Sequence, residues 1–216
     1  MAADTQQTRR SHMLLTMAQM QEAHNRLVHP DWRTQGYEYY RAIWVECAEL
    51  LDHFGWKWWK QQHADTDQVK LEIVDIWHFG LSDLIRAGSL DADMLDPVSF
   101  DPVADPGGRR FRDSVETLAQ ITLMKRAFDL KTFVKVMQSL PMGFEELFHM
   151  YVGKNVLNTF RQDNGYKSGT YRKLWEDRED NEHLVEVLGV LECDPEDIPT
   201  RLYQALEQRY RASEPR

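Results

Sequence analysis

Apolar residues recur at helical spacing along most of the chain, and few segments alternate with the period of two that marks a strand. Met1 to Arg10 are small and polar and read as a loose tail. From Met13 to about Val28, the positions Met13, Met17, Met20, His24 and Leu27 share one helix face. His29-Pro30-Asp31-Trp32 breaks that pattern, and an aromatic connector runs from Thr34 to Tyr40. A second helix is expected over Tyr39–Phe54, closed by Gly55. A third is expected over Thr66–Ala87, with Asp65 or Thr66 as its N-cap. Gly88 to Gly108 loses the periodicity and carries Pro97, Pro102 and Pro106 among aspartates, the pattern of a flexible loop. Periodicity returns from Arg112 to Leu140, with a break near Asp129. Leu118, Ile121, Leu123, Phe128, Phe133, Val136 and Met137 are the core candidates there. Pro141-Met142-Gly143 precedes a helix from Phe144 to Arg161. A terminal helical region, from Asn181 to about Arg211, is interrupted at Asp194-Pro195 and at Pro199. The fold class that follows is all-α, a helical bundle.

Two acidic pairs stand inside the apolar pattern: Glu46 and Glu49 in the second helix, Glu72 and Asp75 in the third. Carboxylates three residues apart stack on one helix face, a turn apart. Ile43, Trp44, Val45, Ala48, Leu50 and Leu51 flank the first pair; Ile73, Val74, Ile76, Trp77 and Phe79 flank the second. One Glu-x-x-Glu is the ordinary pattern of a solvated face. Two pairs in apolar settings, a hairpin apart, need something to offset their desolvation, and a divalent cation does so. Four carboxylates without a thiolate cluster specify a hard ion, Mg²⁺ or Mn²⁺. His78 lies one turn past Asp75 and is open to three roles: metal ligand, base contact or structural histidine.

Charge and composition narrow the class. A formal charge of −9 argues against general nucleic-acid binding, so any basic patch is local. Cys47 and Cys193 are the only cysteines; they make no disulfide framework and no paired metal motif, as expected of a reducing, intracellular, cytoplasmic setting. No apolar signal core opens the chain and no run is long enough to span a bilayer, so no membrane partner is expected. The length suits one domain over residues 1–216, with 88–140 as a mobile lobe and loop.

The local basic patch lies late in the chain. Lys154, Arg161, Lys167, Arg172 and Lys173 gather around the turn signals Asn164-Gly165 and Ser168-Gly169. Basic groups and glycine-flanked N–H donors suit a polyphosphate, a solvated basic loop being the plainer alternative. Lysines interleave the aromatics of Trp56-Lys57-Trp58-Trp59-Lys60 and could meet a phosphate or a base. Gln21 and Asn25 share a helix face, where surface polarity is the ordinary reading. An acidic metal site with a basic loop points to phosphoanhydride hydrolysis, with water as nucleophile and a carboxylate as general base.

The same residues carry a resemblance. The runs Glu46-Cys47-Ala48-Glu49-Leu50, Phe54-Gly55-Trp56-Lys57-Trp58-Trp59-Lys60 and Glu72-Ile73-Val74-Asp75-Ile76-Trp77-His78-Phe79 resemble the dimeric dUTP pyrophosphatases. So do the stretch from Tyr151 to Lys167 and the later Glu179-Asp180-Asn181. These are all-α nucleoside-triphosphate pyrophosphatases related to the MazG type, and the blocks match in order and spacing from about Gln21 to Asn181. The lobe between Gly88 and Leu140 carries no matching motif. The resemblance implies that Glu46, Glu49, Glu72 and Asp75 ligate Mg²⁺ on the phosphates of dUTP, giving dUMP and pyrophosphate, with dUDP a further substrate. It implies water attack at the β-phosphorus, with Glu46 as general base and Glu49 a near-equal candidate. It places Lys154, Arg161, Tyr166, Lys167 and Lys173 on the phosphates, and Gln21, Asn25, Trp59, Lys60, His78 and Asn158 on the nucleoside. It also implies a homodimer and a lobe that closes on substrate. Amide side chains suit uracil, which presents two acceptors and one donor.

Three other readings compete. A pyrophosphatase of the same superfamily could act on dCTP or several triphosphates. A di-iron carboxylate protein is suggested by Asp75-x-x-His78, but would need a Glu-x-x-His from each of two helices. A regulatory binding protein could retain the fold, although intact acidic pairs argue for an enzyme.

Overall fold

The computed structural model describes residues 2–91, 93–95, 99–101, 103–104, 108–193 and 197–213. Eight α-helices are found among them: α1 Ala2–Val28, α2 Tyr39–Phe54, α3 Thr66–Ala87, α4 Arg109–Lys125, α5 Leu130–Ser139, α6 Phe144–Asp163, α7 Asp180–Val190 and α8 Ile198–Ala212. A short 3-10 turn covers Trp32–Thr34, and one two-stranded ribbon joins β1, Leu174–Trp175, to β2, Arg178–Glu179. The fold is therefore all-α, and no helix among the described residues is long and apolar enough to cross a membrane. The chain divides into two units, Met1–Phe148 and His149–Arg216, with the boundary inside α6.

In the first unit α2 and α3 form a hairpin, and their ends are set by local chemistry. The Gly55 N–H donates to Leu51 O at 2.9 Å with a φ of 93°, which a side chain would resist. Asp65 accepts from Gln68 N and caps α3; Asp129 accepts from Thr132 N and caps α5. The core is aromatic at its centre: Trp77 stacks on Phe133 at 5.2 Å, and Phe128 meets Trp77 edge-on at 5.9 Å. Gly80 makes this possible, because a Cβ there would lie 2.8 Å from the Phe128 ring. Asp83 fixes the same corner, accepting from Phe128 N at 2.8 Å and pairing with Arg86.

Four expectations are corrected. α1 begins at Ala2, so the tail over residues 2–10 is helical; it contains neither glycine nor proline and is rich in alanine, glutamine and arginine, which favour helix. Leu27 is 51 % exposed, because the buried face of α1 runs through Met13, Leu14, Met17, Gln21 and Asn25. Leu123 is 46 % exposed, because the buried face of α4 runs through Phe111, Val115, Leu118 and Thr122. Pro199 lies in the first turn of α8 rather than in a break, where its missing N–H has no helical partner to lose. The break expected at Asp194-Pro195 lies outside the described residues.

The second unit is built around Phe160, whose ring meets those of Trp175, Tyr203 and Tyr210 at 5.3 to 5.8 Å. Glu176 and Asp177 turn the ribbon with φ of 50° and 63°. Both are left-handed, as a two-residue hairpin loop requires, but without the Asn-Gly pair that announces one. Glu179 and Glu182 then close a capping box that starts α7 at Asp180.

Candidate metal centre

Glu46 on α2 and Glu72 and Asp75 on α3 face one another across the hairpin. One carboxylate oxygen from each lies within 4.8 Å of the others. Glu72 is buried and the other two are half-buried. Two negative charges at such a distance repel by ~3 kcal/mol at an effective dielectric of about 20. The cluster relieves this by holding a proton. Burial, a hydrogen bond to Glu72 and the charges of Asp75, Glu72 and Glu49 together push the Glu46 carboxyl up to about 9. His53 adds a polar neighbour, its Nε2 lying 3.7 Å from Glu72 Oε1.

This is a donor set that fits a hard divalent cation. Three oxygens converge from two helices, and the upward push on the Glu46 carboxyl marks the like charge that a cation would balance. Glu49 is exposed and outside the cluster, although its charge contributes to the upward push on Glu46. Cys47 follows Glu46 but turns into the core; burial, then the Glu46 charge, raises its thiol to about 12.

His78 is not in the cluster. Its Nδ1 donates to Gln21 Oε1 at 2.7 Å within a buried network between α1 and α3. Gln21 Nε2 donates to Asn25 Oδ1 at 3.1 Å and to Ser82 Oγ at 3.0 Å, and Asn25 Nδ2 donates to Ser82 Oγ at 2.9 Å. Ser82 in turn donates to the His78 carbonyl. Gln21 and Asn25 are therefore interior residues, not surface amides. Ser82 completes the network and was missed in the sequence, where one serine in an apolar helix carries no signal. His53 borders the cluster at Glu72, but the Glu-x-x-His from each of two helices that a di-iron reading needs is not found in it among the described residues.

Trp59 and Lys60 lie in the loop between α2 and α3. Trp58 is 90 % and Trp59 57 % exposed, and Trp56 and Trp58 meet Trp59 edge-on at 5.3 and 5.4 Å. Gln62 shapes the loop's start, its Oε1 accepting from Trp56 N and Lys57 N.

The basic residues occupy the second unit. Arg161 grips Asp180 with two hydrogen bonds of 2.8 Å and donates to Asn158 Oδ1 at 3.0 Å. Buried Lys154 donates to Asn181 Oδ1 at 3.0 Å, and Tyr171 donates to Asp180. Burial works to raise the Asp180 carboxyl, but Arg161, Tyr171 and Lys154 outweigh it and hold it below the usual range. Lys173 reaches Glu179 at 3.3 Å, while Tyr166 and Lys167 are exposed. Asp180 and Asn181, given no role from sequence, organise this network.

A family model described as dUTPase matches residues 13–166. That span contains the whole carboxylate cluster, the buried amide network and all of α6. No curated protein matches the chain.

Proposed function

The chain belongs to the dimeric dUTPase family and hydrolyses dUTP; from that premise we propose that it does so at the Glu46–Glu72–Asp75 cluster, with Mg²⁺ or Mn²⁺, to give dUMP and pyrophosphate. The products from dUDP would be dUMP and phosphate. The observation that carries this reading is the convergence of three carboxylates from α2 and α3, one oxygen of each within 4.8 Å of the others. A bound cation supplies neutralisation of phosphate oxygens and a water of lowered pKa. Glu46, Glu72 and Asp75 would hold it, with Glu49 as the further ligand on the α2 face. The general base comes from the α2 pair; Glu46 is assigned because it belongs to the cluster, and exposed Glu49 is the alternative acceptor of the water's proton. Attack is assigned to the β-phosphorus.

By the likeness of their motifs, Gln21, Asn25, Trp59, Lys60, His78 and Asn158 are assigned to the nucleoside. Lys154, Arg161, Tyr166, Lys167 and Lys173 are assigned to the phosphates. The buried amides support the nucleoside assignment. Gln21 and Asn25 already hydrogen-bond one another, Ser82 and His78, so a base entering there would exchange these partners, and one whose edge could not replace them would be disfavoured strongly. A homodimer is proposed on the family likeness alone.

The test is release of monophosphate and pyrophosphate from dUTP, dCTP, dTTP and UTP, with Mg²⁺ and with chelator, for the natural chain and Glu46→Ala. Metal-dependent dUMP formation is expected, with the other nucleotides nearly inert and the variant silent. Comparable turnover of several nucleotides would overturn the uracil assignment, and turnover in chelator would overturn the metal centre.

A further inference from the structure

Arg172 belongs by sequence to the basic patch, yet its guanidinium is turned onto the end of α8. Nη1 donates to Ser213 O at 2.7 Å and to Ser213 Oγ at 3.2 Å, and Nη2 donates to Tyr210 O at 2.8 Å. The guanidinium also lies 4.3 Å from the Tyr210 ring centroid. Carbonyls in a helix's last turn have no intrahelical donor, and a cation there meets the negative end of the dipole. Tyr210 returns the contact: its hydroxyl accepts from Arg172 N at 3.3 Å, and its ring stacks on Tyr171 at 5.4 Å and 11°.

The other end of the same loop is tied to the same helix. Tyr203 of α8 donates to Asp163 Oδ2 at 2.9 Å, at the last residue of α6. Between these anchors the loop closes on itself. Gly165 O accepts from Thr170 N at 3.0 Å, from Tyr171 N at 3.3 Å and from Ser168 Oγ at 2.9 Å. Gly165 has a φ of 92°, and a Cβ there would fall 2.0 Å from Thr170 Oγ1, so no other residue fits the ring.

We infer that α8 is a clamp that holds the Asn164–Lys173 loop in its phosphate-binding shape, with Arg172 and Tyr203 as positioning residues that touch no substrate. This rests on the assignment of Tyr166, Lys167 and Lys173 to phosphate made above. Both anchors lie outside residues 13–166, the span that the family model matches. The physical role is pre-organisation. A loop fixed before substrate arrives loses less conformational entropy on binding than a free one.

The test uses the full chain carrying Tyr203→Phe, Arg172→Ala or Arg172→Lys. Three quantities are read: amide hydrogen exchange over residues 164–171, KM and kcat for dUTP, and inhibition by pyrophosphate alone. Tyr203→Phe removes one oxygen and keeps the ring, so it carries the test if Arg172→Ala does not fold. Faster exchange confined to the loop is expected. The dUTP KM and the pyrophosphate inhibition constant should rise together, about five- to tenfold, with kcat nearly constant and Arg172→Lys falling between. Unchanged exchange in both Tyr203→Phe and Arg172→Ala would overturn the clamp. Faster exchange with unchanged KM and pyrophosphate inhibition would instead overturn the loop's assignment to phosphate.

Discussion

Replacing Glu46 by glutamine is expected to make the metal-free protein more stable at pH 8 while abolishing turnover. The Glu46 carboxyl is held at about 9 against an ordinary 4.5. Between those values the folded chain keeps a proton that the unfolded chain has released. The unfolded state therefore binds fewer protons, and stability falls as pH rises through this window. Below 4.5 both states are protonated and the penalty vanishes; above about 9 both are ionised and it is complete. The limiting slope is ~1.4 kcal/mol per pH unit. Discounted for solvent screening of a half-buried group, the loss from pH 6 to pH 8 is about 2 kcal/mol. Glutamine does not titrate, and its amide can donate to Glu72 as the protonated acid does. Thermal melts in chelator should show the natural chain losing about 5 °C relative to Glu46→Gln over that interval. Added Mg²⁺ should restore the natural chain and leave the variant unchanged. Parallel pH profiles for the two proteins in chelator would refute the shared-proton account of the cluster.

The same proton should leave when a cation enters. Calorimetric titration of Mg²⁺ at pH 7, in buffers of differing ionisation enthalpy, is expected to report release of about one proton per cluster. Arg161→Ala strips the buried Asp180 of its bidentate partner, and a loss of about 3 to 5 kcal/mol in chemical denaturation is expected. Gly80→Ala drives a methyl to 2.8 Å from the Phe128 ring, and its melting point should fall by an amount equivalent to about 1 to 3 kcal/mol.

Much of the first unit could be read from the chain because its signals are local. Asp65, Gly55 and Asp129 each fix a helix end through their own conformation or one hydrogen bond, so α2 and α3 have the expected bounds and α5 starts where expected. Where a helix face turns polar, the pattern misleads. The stripe of α1 continues from Met17 into Gln21 and Asn25, and only a partner such as Ser82, distant in sequence, reveals that amides can be buried there. The Glu176-Asp177 turn is hidden because Glu176 is not typical of left-handed backbone and no glycine follows Asp177 to complete the usual hairpin pair. For the candidate site, spacing pointed to Glu46, Glu49, Glu72 and Asp75 but not to their rotation about the helix. Glu49 shares a face with Glu46 in the pattern, yet remains outside the group that gathers Glu72 and Asp75. Lys154, Arg161 and Arg172 look alike as cations in sequence. Their partners Asn181, Asp180 and the end of α8 separate them.

Cys47 gives the hairpin a selectivity that its carboxylates alone would not. A thiolate one residue from Glu46 would offer a soft donor to zinc, copper or cadmium beside a cluster whose carboxylate donors are hard oxygens. Turning the side chain into the core keeps it protonated at any physiological pH, since burial and the Glu46 charge raise the thiol to about 12. The same burial shields it from peroxide and alkylating agents, which act on exposed thiolates. The Cys47 thiol therefore adds no soft, oxidisable donor to the carboxylate cluster.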